Sequence, residues 1–357
     1  MQKDMHYFGT YAVARIAGFP SEMARIIATA DEFVDEAVEA SPISLGGQGY
    51  QLPVVSSHKM SELTKNFDEM DQWKVWVPFH FLPGGQGNTV DERLVCLWGE
   101  PGNKACDDII KLALRAGAEN KPYGLYLLGI VSHVVQDTYA HYGFSGMTSD
   151  LNEVKQESLK LVEAQSMGEH IKKKMIGFWD RLAAAFAGAT KLGHAGAATL
   201  PDCPYLQWDL KHEEGKSIQA GYLKKIRNNP ATFFMACTRL HAVFDAFLKG
   251  KQFVEVEGGH LGFSDQVSDA IQSIINKEGT KDQRCALWRK RIDSGVLFSP
   301  NSEDMKLNYN DTKWRIGIME DNPLASTTDA YMFNRAAHVY LRKVQDEILP
   351  EMGILAG

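Results

Sequence analysis

Apolar and polar residues follow one another along this chain with the period of a helix far more often than with that of a strand. In SEMARIIATADEFVDEAVEA, residues 21–40, apolar side chains recur at 26, 27, 30, 33, 34, 37 and 38, one stripe on a helical wheel, and Ser21 after Pro20 supplies an N-cap. The same period predicts helices in the opening stretch and over residues 103–120, 151–189, 230–250, 263–279 and 329–349. Only QFVEVEG, residues 252–258, reads as a short extended piece, and no regular succession of β runs appears. Stretches rich in Gly, Pro, Asn, Asp or Ser at 41–58, 78–91, 199–214 and 295–328 are loops. The pattern predicts one all-α domain of many helices with long irregular loops, a core over 1–254 and an added helical subregion over 255–357.

One apolar run carries polar groups in a regular array. LGIVSHVVQDTYAHYGFSG, residues 128–146, places His133, Asp137 and His141 four apart. A helix turns about 100° per residue, so each step of four drifts by only about 40° and the three side chains share a stripe about 12 Å long. Both histidines cannot easily reach one ion across that length, while Asp137 lies midway with two oxygens, which suggests a carboxylate bridging neighbouring metals. The plainer alternative is a pair of core histidines with satisfied hydrogen bonds. His241 and Asp245 repeat the same spacing in LHAVFDAF, so the spacing alone is weakly specific.

Composition narrows the function classes. The chain has 357 residues, 44% hydrophobic and 23% charged, the proportions of a globular protein with a sizeable core. No apolar run approaches the about 18 residues that span a bilayer, and MQKDMHYFGT lacks the order of a signal peptide, so a cytoplasmic protein without a transmembrane segment is expected. Cys96, Cys106, Cys203, Cys237 and Cys285 show no CxxC spacing and read as free thiols. A net charge of −7 provides no basic field for a nucleic-acid backbone.

The histidines then separate by neighbourhood. His58, His170, His212, His260 and His338 lie in polar, glycine-flanked or ordinary helical contexts and read as structural. Asp4 and His6 are two apart in an opening read as extended, where alternate side chains face one side and can grip one ion. His80 sits between bulky residues in PFHFLPGG, and KLGHAGAATLPDCPY presents His194 and then Asp202. These nitrogen and oxygen donors suit zinc or iron.

The order His6, FVDEA, FHFLPGG, SHVVQDTYAH and GHAGAATLPD resembles the zinc-dependent phospholipase C and fungal single-strand nuclease superfamily, and most of all a poorly characterised branch with an Asp-x-His-Tyr opening. The resemblance covers residues 4 to 205. It implies an all-α fold with two or three zinc ions in a cleft: Asp35, His80, His133 and Asp137 on one, His6 on a second that shares Asp137, and His141, His194 and Asp202 on a third. That family uses the amine and carbonyl of a processed N-terminal Trp as ligands. Here Asp4 is expected, on chemical grounds, to take the amine's place. The family's last helix histidine follows a longer gap, and its final acid follows the last histidine by four residues, where this chain has Ala198. Asp35 falls off the apolar stripe of a 21–40 helix, which makes Asp31 its rival.

The implied activity is that of a metal-dependent phosphoric ester hydrolase acting on a small-molecule or lipid phosphoester, with long nucleic acid disfavoured by the acidic balance. Asp137 would bridge the metals and Asp35 would accept a proton from the attacking water. Aromatic residues near the motifs (Tyr7, Phe8, Phe81, Tyr139, Tyr142) suit a lipid or a base as well as core packing. The competing readings are a non-haem iron oxygenase on the same donors and a non-catalytic helical binding protein braced by metals.

Overall fold

The stripes converge on one central helix in a mostly helical single domain. The computed structural model describes residues 1–59, 63–154, 159–161, 191–209, 226–250 and 262–355. Counting only described helices of eight residues or more, α1 is Thr10–Ala17, α2 Ser21–Phe33, α3 Lys104–Ala118, α4 Gly124–His141, α5 Asn229–Leu248, α6 Asp265–Ile275, α7 Lys281–Asp293 and α8 Asp329–Arg342. A turn of π-helix, Asp4–Gly9, leads directly into α1. Every residue of α4 except Leu125 is buried, because α2, α3, α5 and α8 pack round it. Its His133, Asp137 and His141 therefore have to find partners inside the protein.

Close approach of α2 to α4 brings the acids of one to the histidines of the other. Gly129 permits it: a Cβ there would stand 2.4 Å from the Ile27 carbonyl oxygen and 2.5 Å from the Ala30 Cβ. Gly129→Ala is expected to destabilise the fold by about 1–3 kcal/mol through overpacking, although alanine is the better helix former. A chemical-denaturation midpoint equal to or above that of the parent protein would contradict this packing.

Several sequence expectations are corrected. The opening is helical, not extended. α2 ends at Phe33 and residues 34–36 form a turn, so the expected helix to residue 40 is too long. α7 was not foreseen, since its buried side is only Arg284, Trp288 and Ile292 in an otherwise charged segment. α5, at 20 residues with a mean hydropathy of 1.2, is long and apolar enough to pass as a membrane span, contrary to expectation, but more than half of it is buried against its neighbours. Short antiparallel pairings, Ile43–Ser44 with Tyr50–Gln51 and Lys160–Leu161 with Gln207–Asp209 and Ile226–Asn228, add the only strands among the described residues. The expected strand at 252–258 and most of the helix expected over 151–189 lie outside those residues, as do His170, His212 and His260.

Beyond α5 the chain folds back onto the same bundle. α6 packs on α5, α7 on the Asp4–Gly9 turn and α8 on α4. The return is fastened by polar pairs, since Tyr11 and Arg15 of α1 both bind the Asp304 carboxylate, at 2.6 and 2.7 Å.

Candidate metal centre

Three elements meet over the middle of α4. α2 delivers Asp31 from its last turn and Asp35 from the turn that follows, and the N-terminal turn delivers His6. His80 enters just past the short helix Val77–Phe79. Because α2 stops before Asp35, that residue lies off the helical wheel. Asp31 and Asp35 both reach the site, so the two are neighbours with different tasks.

Asp137 lies at the middle. Its Oδ2 is 3.2 Å from His80 Nδ1 and 3.2 Å from His133 Nε2, and its Oδ1 is 3.4 Å from His6 Nε2. His80 Nδ1 and His133 Nε2 are 3.3 Å apart, with Asp35 Oδ1 at 3.8 and 3.9 Å from them. A tetrahedral ion with ligands at about 2.0–2.1 Å spaces those ligands about 3.3–3.4 Å apart, so three of these separations already suit one ion and Asp35 stands slightly wide. On the other side of Asp137, His6, Asp31 and His133 form a second group, with the His6 and His133 rings stacked at 4.0 Å. His141, His194 and Asp202 form a third, in which Asp202 Oδ1 is 3.0 Å from His141 Nε2 and Oδ2 is 3.7 Å from His194 Nε2.

The outer partners of the histidines fix which nitrogen faces inward. His80 Nε2 donates to the Ser56 carbonyl at 2.8 Å, and His133 Nδ1 to that of Asp31, His141 Nδ1 to that of His80 and His194 Nδ1 to that of Ala198, each at 2.9 Å. A carbonyl can only accept, so the proton on each of those nitrogens is settled and the opposite nitrogen is the one aimed at the carboxylates. His6 differs. Its Nδ1 is 2.8 Å from Asp31 Oδ1 but off the line of the N–H bond, so both ring nitrogens and that oxygen remain buried without a well-aligned hydrogen bond. Asp31 is steadied through its other oxygen by Thr10 Oγ1 at 2.6 Å and Gln136 Nε2 at 2.7 Å.

Ala198 answers for the acid missing at that position. It holds φ 51° and ψ −124°, a strained backbone for alanine, and its carbonyl orients His194. Asp202 supplies the carboxylate instead. Asp4 is a correction: on a helix, residues two apart point nearly opposite ways, so His6 enters the cluster while Asp4 turns to Arg284 and binds it through both oxygens, at 2.7 and 3.1 Å. The group found beside Asp137 on that side is the Met1 amine, which also lies 3.4 Å from Asp202. The His241–Asp245 pair proves ordinary, with Asp245 taken by Lys249 at 2.6 Å.

Charge in the metal-free cluster is self-compensating. Burial works to lower the His133 pKa, but Asp137, Asp31 and Asp35 outweigh it and raise it to about 10. Burial takes His194 the other way, to about 4, so its inward nitrogen is a bare lone pair at neutral pH. Burial would raise Asp35, yet His133, His6 and His80 hold it below the usual carboxylate range. A metal entering beside His133 must displace its proton, so affinity there rises with pH. Since unfolded histidine titrates near about 6.5, the His133 proton stabilises the metal-free fold below that pH, and this contribution is lost as pH climbs through about 10. The thermal midpoint of chelator-treated protein is therefore expected to decline between about pH 7 and pH 10. A flat profile would mean that His133 carries no such proton.

Thr10, Gln136, Ser56 and Arg284 were not anticipated. Gln136 alone left a trace in the sequence, as a further polar group beside Asp137 in the apolar run of residues 128–146. Residues 1–348 match the family described as "Family of unknown function (DUF6765)". The chain belongs to this family. No curated protein and no solved structure matches it. For this DUF6765 protein the site itself therefore has to supply the chemistry: three His/Asp groups, two of them joined through His133 and flanked by Asp137, that could hold metal ions.

Proposed function

We propose that this protein is a metal-dependent hydrolase of phosphoric esters that works with two or three divalent ions, zinc foremost. The observation that carries the reading is the set of four histidines whose outer nitrogens are committed to backbone carbonyls while their inner nitrogens converge on Asp137, Asp35 and Asp202. Metal-ligating histidines are oriented in this way by outer partners. The unbonded nitrogens of His6 fit the same purpose, because buried polar atoms without partners are costly unless something else binds them. The order of motifs shared with the zinc-dependent phospholipase C and single-strand nuclease superfamily supports the choice of phosphoesters.

In this reading Asp35, His80, His133 and Asp137 hold one ion, and His6 holds a second across Asp137. His141, His194 and Asp202 hold the third. Ions bound there would supply an activated water near neutral pH and positive charge for a phosphoryl oxygen. Asp137, with one oxygen toward each central group, keeps the two in register, while Asp31 holds the rings of His6 and His133. The depressed pKa of Asp35 makes it a weak base and favours ligation over proton transfer. A small or lipid phosphoester suits a chain of net charge −7 better than a long nucleic acid.

The test is metal analysis of protein purified without added metals, followed by hydrolysis of bis(p-nitrophenyl) phosphate before and after chelation. Two or three zinc ions per chain, loss of hydrolysis on chelation and its return with zinc are expected. Iron with oxygen uptake and no phosphodiester cleavage would replace this reading with an oxygenase, and tightly held ions without turnover on any phosphoester would leave a metal-braced binding protein.

A further inference from the structure

Arg227 is buried without a carboxylate among its described partners, an arrangement that burial of a charge ordinarily forbids. Its guanidinium donates to two backbone oxygens, Ala140 O at 2.7 Å and Tyr142 O at 2.6 Å, and lies 3.4 Å from the centre of the Tyr142 ring. These two carbonyls bracket His141, the last residue of α4. The helix end needs such help. Tyr142 is extended at φ −52° and ψ 141°, with no backbone N–H of its own closing the last turn. Orphan carbonyls and the negative pole of an 18-residue helix converge there, and a cation is the group that satisfies both. The neighbouring face of Trp208, at 5.2 Å, helps to replace water round the charge.

His141 faces two ways from this point. Its Nδ1 is tied to the His80 carbonyl, and its Nε2 points at Asp202 in the third group. Its ring position thus depends on where α4 stops, and the fork of Arg227 sets that. Resting on the metal reading above, we propose that Arg227 is a positioning residue for the third ion, acting through His141 and leaving the ions beside Asp137 untouched. A lysine could keep the charge but, with one compact donor group, could not hold both carbonyls in fixed geometry.

The experiment loads the full chain with cadmium and follows the bound ions by cadmium NMR and by competition with a chelator, alongside the thermal midpoint. In Arg227→Met the resonance assigned to the third group, identified as the one lost in His194→Ala, should shift or vanish and its affinity fall by about 10- to 100-fold, as for loss of an outer partner. The other resonances should be unchanged. Arg227→Lys should be intermediate. In a His141→Ala background Arg227→Met should add no further loss, because its route is already cut. Parallel weakening of every ion, an unchanged third ion, or an undiminished effect without His141 would each overturn the proposal. If the methionine variant fails to fold, the lysine variant carries the same cycle. A parent protein that binds no divalent ion would overturn this proposal together with the metal reading, whereas a normally loaded parent with the wrong pattern of losses overturns this proposal alone.

Discussion

Asp137→Asn is expected to empty the two central groups of metal and to abolish phosphoester hydrolysis while leaving the helical content intact. The asparagine has the same shape, so the change isolates charge. In the parent, one carboxylate faces His6, His80 and His133 at 3.2–3.4 Å, His141 Nδ1 at 3.6 Å and the Met1 amine. Burial alone would raise its pKa, yet those cationic and imidazole neighbours, His141 and the Met1 amine foremost, hold it well below the usual range. An amide provides neither the negative charge nor two equivalent acceptor oxygens, so the loss of affinity should exceed the about 10- to 100-fold that follows removal of an outer partner. The variant should also lose the alkaline decline in stability expected of the metal-free parent, because His133 no longer has its principal anion. Metal content and turnover equal to the parent's would refute the central role of Asp137.

The second large effect lies outside the cluster. Arg284→Met is expected to cost about 3–5 kcal/mol, since it leaves the Asp4 carboxylate buried and unpaired. Both partners are almost fully enclosed, at 1% and 3% exposure, and the same guanidinium binds Gln2 Oε1 and the Gly279 carbonyl at 2.8 and 2.7 Å. Removing it releases the turn that carries His6 as well as the end of α7. Asp4→Asn keeps the volume and removes the charge, and it should lower stability by a smaller amount with no change in metal stoichiometry at temperatures where the fold persists. Urea denaturation and metal counting on the two variants check this. Loss of one ion from a stably folded Asp4→Asn protein would return Asp4 to the ligands.

What could be read in advance follows from how far each signal reaches along the chain. His133, Asp137 and His141 were legible because period four on a buried helix depends on nothing beyond that helix. His80, His194 and Asp202 were found through motif order, which records what folding brings together without showing how. The wheel set Asp35 off the apolar stripe and an extended opening set Asp4 beside His6 for one reason: both placements depend on where a helix starts or stops, and neither α2's end at Phe33 nor the start of the helical turn at Asp4 has a Gly or Pro beside it as a mark. α7 was invisible because its anchor is an arginine, whose burial depends on an acid 280 positions away. The backbone carbonyls that orient the histidines leave no trace in side-chain identity at all.

The same separation sets an order of events while the chain is being made. The turn that delivers His6 leaves the ribosome about 15–60 s before its partner Arg284 at ordinary elongation rates, since 280 positions separate Asp4 from Arg284. Until then Asp4 has no counter-ion and the turn has no α7 to rest on. Asp31, Asp35, His80, His133, Asp137, His141, His194 and Asp202 are available well before that moment. The growing chain can therefore gather most of its donors early and complete the cluster only when Arg284 arrives, so the seating of His6 beside Asp137 becomes a late event in the life of the nascent protein.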